Sequence, residues 1–133
     1  MKKTVECVPN FSTSDARVLE QLKKCFEKCG VLIGCESDPD HNRAVITSAA
    51  AKIDLRAHRG VHPRIGAADV IPFVPVKNFT MDEAAELSRR TGKIIARKFG
   101  IPVILYGRSA AAPHRANLVD IRRGGFEKIG EKL

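Results

Sequence analysis

Two amphipathic stretches, each ended by a glycine and followed at once by an apolar run, restrict this chain more than anything else in its sequence. In the first, Val18, Leu19, Leu22, Cys25, Phe26 and Cys29 recur at helical spacing, and Lys23, Lys24, Glu27 and Lys28 take the other face. Gly30 then closes the helix, and Val31-Leu32-Ile33-Gly34-Cys35-Glu36 follows as a strand. In the second, Thr80-Met81-Asp82-Glu83 is a capping box, Thr80 offering its hydroxyl to the helix amides and Glu83 reaching back. Ala84, Leu87, Thr91, Ile94, Ile95 and Phe99 predict its buried stripe, Gly100 ends it, and residues 101–107 form the next strand. A helix that must bury one face and then hands over to a short strand needs a sheet to lie on. That requirement selects a layered α/β architecture.

The other elements fill in the sheet. Thr4-Val5-Glu6-Cys7-Val8 alternates as a strand does and stops at Pro9, which delivers Asn10 to a loop at the strand's C-terminal end. Ser12 or Ser14 is the expected cap of the first helix, with Ser12-x-x-Asp15 as a weak capping box. Residues 31–36 and 43–48 read as a hairpin whose loop carries Asp38, Asp40, His41, Asn42 and Arg43 to one end of the sheet. Residues 69–75 form another strand, and Pro72 and Pro75, lacking amide protons, predict that it lies at an edge or ends early. The C-terminal stretch holds an Ala-rich connector, a short helix at 116–123 and a Gly124-Gly125 break, and its tail is polar enough to be partly mobile. The order is strand, helix, strand, strand, long connector, strand, helix, strand. It predicts an α/β (α+β) sandwich of the ferredoxin-like kind, with helices on one face of a mainly antiparallel sheet. At 133 residues the chain is expected to be one domain.

Composition narrows the setting. No apolar run approaches the roughly 18 residues of a membrane-spanning helix, and Met1-Lys2-Lys3 is not followed by the apolar region of a secretory signal, so a cytoplasmic protein is expected. Cys7, Cys25, Cys29 and Cys35 fit free buried thiols in a reducing compartment; Cys25 and Cys29 have no second pair at ligand spacing, which argues against zinc. A formal charge of +8 and a pI near 9.6 make the surface attractive to anions without choosing among phosphates, nucleic acid and polycarboxylates. Arg89, Arg90, Lys93 and Arg97 would serve a nucleic-acid-binding module. A solvated helix face explains them as well, and with aromatics at 5% of residues there are few stacking platforms for single strands.

The densest chemistry lies in His58-Arg59-Gly60-Val61-His62-Pro63-Arg64-Ile65-Gly66-Ala67-Ala68-Asp69. Pro63 pushes His62 toward extended backbone, so the stretch reads as a shaped loop. Two histidines four apart would bind a metal from one helix face, but Gly60 and Pro63 oppose the helix and no third ligand is marked. Proton transfer suits His62 better, because its ordinary pKa lies near neutrality and Asp69 is a carboxylate close enough in sequence to orient it. Arg64 offers the planar fork that binds a carboxylate in two places, and Gly66 would let a substrate approach the backbone. The plainer alternative is that His62 and Arg64 satisfy backbone carbonyls and surface carboxylates. On the residues alone both readings stand.

In order along the chain, Val5-Glu6-Cys7-Val8-Pro9-Asn10-Phe11-Ser12, Asp38-Pro39-Asp40-His41-Asn42-Arg43, the run from Ile53-Asp54-Leu55-Arg56 through His58–Asp69 to Val76, and Leu118 with Asp120-Ile121-Arg122-Arg123-Gly124 resemble one family. It is the glutamate formiminotransferases, specifically the N-terminal subdomain also found in formiminotransferase-cyclodeaminases. The resemblance implies transfer of a formimino group from N-formiminoglutamate to tetrahydrofolate as co-substrate, without a metal. It makes His62 the acid/base, and it assigns substrate or folate contacts to Asn10, Asn42, Arg43, Arg64, Gly66 and Asp69. It also implies a helix between Ser48 and Ala49 that this chain lacks, and a second subdomain beyond Leu133. The partner would be that subdomain on another chain, or a second copy seeking the sheet face left uncovered. A non-catalytic binder of folate or acidic metabolites is the alternative.

Overall fold

The computed structural model describes residues 2–27, 55–56 and 64–133. The expected hairpin at 31–48, Gly30, Asn42, Arg43, His58, His62 and the junction between Ser48 and Ala49 lie outside the described residues, as do the side chains of Cys25 and Phe26 and the whole of Cys29 and Cys35. The chain divides into two compact units, one made of Met1–Val8 with Pro72–Leu133 and the other of Pro9–Ile71. Helices and antiparallel strands in small sheets give the mixed α/β class that the patterning predicts.

In the first unit, β1 (Thr4–Cys7) pairs antiparallel with β4 (Phe73–Lys77), setting Val5 opposite Pro75, Glu6 opposite Val74 and Cys7 opposite Phe73. In the second, β2 (Asn10–Phe11) pairs with β3 (Ala68–Val70). The single strand expected over 69–75 is thus two, broken at Ile71 and Pro72. Pro72 has no N–H to give a ladder, although its carbonyl accepts from the Val8 amide at 3.3 Å.

Helix α1 (Ala16–Glu27) buries Leu19 and Leu22, the latter 1% exposed, with Val18 packed against them. Its cap corrects the expectation. Asp15, not Ser12 or Ser14, accepts from the amides of Arg17 at 2.8 Å and Val18 at 3.3 Å, while Thr13 Oγ1 accepts from Asp15 N at 3.2 Å. A carboxylate one residue before the helix satisfies its free amides and faces the positive end of the helix dipole, which a serine three residues earlier cannot do.

Helix α2 (Met81–Phe99) starts and stops as predicted. Glu83 N donates to Thr80 Oγ1 at 3.2 Å, Thr80 N donates to Glu83 Oε2 at 2.9 Å, and Gly100, at φ 64°, donates its N–H to the Ala96 carbonyl at 2.9 Å. The buried face matches the expected stripe at Ala84 and departs from it elsewhere. Ala84, Ala85 and Gly92 are buried, whereas Ile94 is 62% and Phe99 47% exposed. The helix has seated on its small residues. A Cβ at Gly92 would stand 3.2 Å from Val103 Cγ1 and 3.4 Å from Leu105 Cδ2, so the missing side chain is what lets residues 103–105 lie against it. That segment, expected to be a strand, carries no ladder among the described residues. Pro102 removes one donor, and the chain turns at once into a 3₁₀ turn at Gly107–Ser109.

The tail is tied back rather than loose. Asn117 Oδ1 accepts from Val119 N at 2.9 Å to cap α3 (Leu118–Arg122), whose Ile121 is buried. Gly124 turns the chain at φ 85° into the 3₁₀ helix Phe126–Lys132. The Lys132 ammonium then donates to the carbonyls of Ile121 and Arg123, the position at a helix end where a cation is most favourable. Cys7 also departs from expectation. The residue is exposed, although the protein around Sγ removes enough water to push its thiol up to about 11. Among the described residues no helix is long and apolar enough to cross a membrane.

Two predictions follow from the helices. Gly92→Leu should lose about 1–3 kcal/mol by overpacking, and Gly92→Ala much less, because a helical alanine regains about 1 kcal/mol of propensity; midpoints of urea unfolding measure both. Separately, the Arg17 and Val18 amides hold the Asp15 carboxyl below its ordinary value, and Lys3, ahead of Thr80 N, does the same for Glu83. Both groups bind protons more weakly when folded, so their support of the helix starts is complete above the ordinary values of 3.8 and 4.5. It is lost as pH falls through the lower folded values. Amide chemical shifts in an acid titration should show that loss below pH 3.8 at Arg17 and below pH 4.5 at Thr80, and Asp15→Ala should remove it at Arg17 only.

Candidate functional site

Four of the seven expected site residues fall within the described part of the Pro9–Ile71 unit: Asn10, Arg64, Gly66 and Asp69. The scaffold that brings them together is the β2–β3 pair. Phe11, only 1% exposed, anchors β2, and Val70 is buried on β3. The half-buried Asn10 lies opposite Val70, but Phe11 lies opposite Ala68, so the register slips by one residue and Asp69 is left as the extra residue of β3. A bulge of this kind re-aims the side chain it carries.

Asp69 uses that freedom inward. Its Oδ1 accepts from the Ile65 amide at 3.0 Å, and the residue is 8% exposed. It therefore closes the five-residue turn 65–69 by its own carboxylate, a local role that the expected pairing with His62 did not anticipate. Gly66 sits in the middle of this turn. A Cβ there would stand 2.8 Å from the Ala68 carbonyl oxygen, so the backbone itself requires glycine. Arg64, half-buried, directs Nη2 to the Leu55 carbonyl at 3.4 Å, tying the start of the turn to a buried residue nine positions earlier.

Ser12 is the residue that sequence reasoning misplaced. It is 6% exposed, its amide donates to the Ala67 carbonyl at 3.1 Å, and its hydroxyl donates to the Gly66 carbonyl at 3.0 Å. The signal that could have found it is Asp15: once the residue directly before the helix is the cap, Ser12 is free for another partner. The arrangement as a whole is a turn held at several points that carries a guanidinium, a group suited to carboxylates, at its start. Among the described residues no cluster of three or more histidines, cysteines or carboxylates could hold a metal.

Comparison with known proteins adds to this geometry. The sequence model described as the formiminotransferase domain, N-terminal subdomain, matches residues 45–133. A protein of Streptococcus pyogenes named glutamate formimidoyltransferase is 40% identical over the whole chain and 51% of its own length. One of the same name from Thermoplasma acidophilum is 40% identical over 92% of the chain and 47% of its own length. The formimidoyltransferase-cyclodeaminase of Rattus norvegicus is 36% identical over the whole chain and 28% of its length. The chain thus spans about half the length of the glutamate formimidoyltransferases it matches. The alignments to the streptococcal and rat proteins run over 153 positions against 133 residues, so twenty positions have no counterpart in this chain.

The turn itself is open to test. Asp69→Ala leaves the Ile65 amide without its acceptor and should destabilise by about 1–3 kcal/mol, while Asp69→Asn, which keeps an oxygen at the same place, should cost less. Urea unfolding of the two variants measures the difference.

Proposed function

We propose, from the premise that the chain belongs to the formiminotransferase family as its N-terminal subdomain, that it serves transfer of a formimino group from N-formiminoglutamate to tetrahydrofolate. The observation that carries this reading is that the family match includes the His58–Asp69 stretch. The names of the relatives, glutamate formimidoyltransferase among them, agree with it.

In this reading His62 is the proton carrier. It takes the proton released by the folate amine as that nitrogen bonds to the formimino carbon, and it returns a proton to the glutamate nitrogen as the old carbon–nitrogen bond breaks. Arg64 binds a substrate carboxylate with its planar fork. Asn10, Asn42 and Arg43 add polar contacts to glutamate or folate, Gly66 keeps the turn narrow, and Asp69 holds the turn in shape. Placing the two substrates against each other supplies much of the rate, since it replaces an encounter in solution by a fixed geometry.

We further propose that residues 1–133 act as one subdomain that lacks a helix between Ser48 and Ala49, in a cytoplasmic protein. The twenty unmatched positions support a deletion of that size. A second subdomain, or a second copy of this one, completes the site. The same twenty positions favour one other reading, in which the shortened unit binds folate or an acidic metabolite without turnover.

His62→Ala should reduce formiminoglutamate-dependent transfer by about 10²–10⁴-fold and leave the urea midpoint unchanged. Transfer that survives the substitution at full rate removes His62 from the mechanism. Calorimetry that shows folinate binding to a protein without any turnover selects the binder instead.

A further inference from the structure

We propose that Ser12 is a positioning residue of the transfer site, its buried hydroxyl holding the turn that carries Arg64 in the shape that binds a substrate carboxylate. The inference rests on the formimino-transfer reading above and goes beyond it, because nothing in that reading uses Ser12.

Three observations carry it. The hydroxyl spans 54 residues of sequence to reach the Gly66 carbonyl, and the amide of the same residue reaches the next carbonyl, that of Ala67. On the turn's other side Asp69 Oδ1 holds the Ile65 amide, so residues 65–67 are fixed by donors from the residue just after β2 and by an acceptor from β3. Finally, Ser12 is not needed where its sequence context would put it, because Asp15 already caps α1. A buried hydroxyl at 6% exposure, with the helix capped by another residue, is retained for the turn. Arg64 is the residue immediately before the clasped segment, and its Nη2 contact to Leu55 fixes the far end of its side chain. Between the two, the guanidinium has little room to wander, which is the condition for a two-point bond to a carboxylate.

The chemistry predicts a separation of kinetic effects. Ser12 touches no reacting atom, so its loss loosens the placement of one substrate without altering proton transfer. Ser12→Ala should raise KM for N-formiminoglutamate by about fivefold to tenfold, the equivalent of one buried hydrogen bond, and leave kcat within about twofold with an unchanged pH profile. Ser12→Thr, which keeps the hydroxyl, should restore KM. In a double-variant cycle, Ser12→Ala should add nothing to Arg64→Ala, because both act through the same contact. Hydrogen exchange, which requires no turnover, should be faster at the amides of residues 12 and 65 in Ser12→Ala and normal in Ser12→Thr. Unchanged KM in a folded, active Ser12→Ala protein overturns the role of Ser12 and leaves the transfer reading intact, as does an effect fully additive with Arg64→Ala. Absence of turnover in the unsubstituted protein overturns the transfer reading itself. If Ser12→Ala does not fold, Ser12→Thr decides: a raised KM with normal exchange in that variant overturns the proposal.

Discussion

The bulge between Asn10 and Phe11 is the constraint on which the candidate site depends. Regular pairing would alternate the side chains of β3 and send Asp69 away from its own turn. One slipped register leaves Asp69 unmatched, allows its carboxylate to close on Ile65 and brings the Gly66 and Ala67 carbonyls to Ser12. The contact is expensive to set up, since loop closure grows with the length enclosed and Ser12 and Gly66 are 54 residues apart. Burial of Phe11 and Val70 beside the ladder offsets that cost. The turn therefore stands on an apolar anchor, and Ser12 and Asp69, which shape it, each have a hydrogen-bond partner within it.

The helices obey a different rule. Periodicity identified α2 and both of its ends, because capping chemistry is local: a threonine, a glutamate three residues on and a terminal glycine decide the boundaries whatever lies around them. Which side of the helix is buried is not local. Ala84, Ala85 and Gly92 are buried while Ile94 is exposed, and at Gly92 the missing side chain lets Val103 and Leu105 come close enough for dispersion to count. Val103 and Leu105, in the segment after Gly100, lie against that helix at Gly92.

Legibility in the sequence divides along the same line. The class of fold, the start of β1, the ends of α2 and the short C-terminal helix followed from patterns a few residues long. Arg64, Gly66 and Asp69 were chosen by chemical type, and the structure gathers them into one turn. What stayed hidden depends on partners distant in sequence: Asp69 as the clasp of its own turn, Ser12 as a donor to Gly66, and Lys132 reaching back to Ile121. Pro72 signals an edge or an early end, and the early end is what the break between Val70 and Phe73 shows. A missing N–H reports where a ladder must pause, but not which strand resumes beyond it.

Charge is distributed in a way that bears on how an anion would be recognised. The unit formed by Met1–Val8 and Pro72–Leu133 holds fourteen lysines and arginines against seven carboxylates, while Pro9–Ile71 holds nine against eight. Nearly all of the formal +8 therefore belongs to one unit, and this excess is what remains after ion pairs such as Arg108 with Asp82 at 2.9 Å are counted. Such a field raises the rate at which anions arrive. It does not orient them. The unit that carries Arg64 is close to neutral and has no excess of charge to hold a carboxylate by attraction alone. In the proposed reading selectivity then comes from where guanidiniums such as that of Arg64 are placed, and the turn beside Arg64 is held from both sides by Ser12 and Asp69.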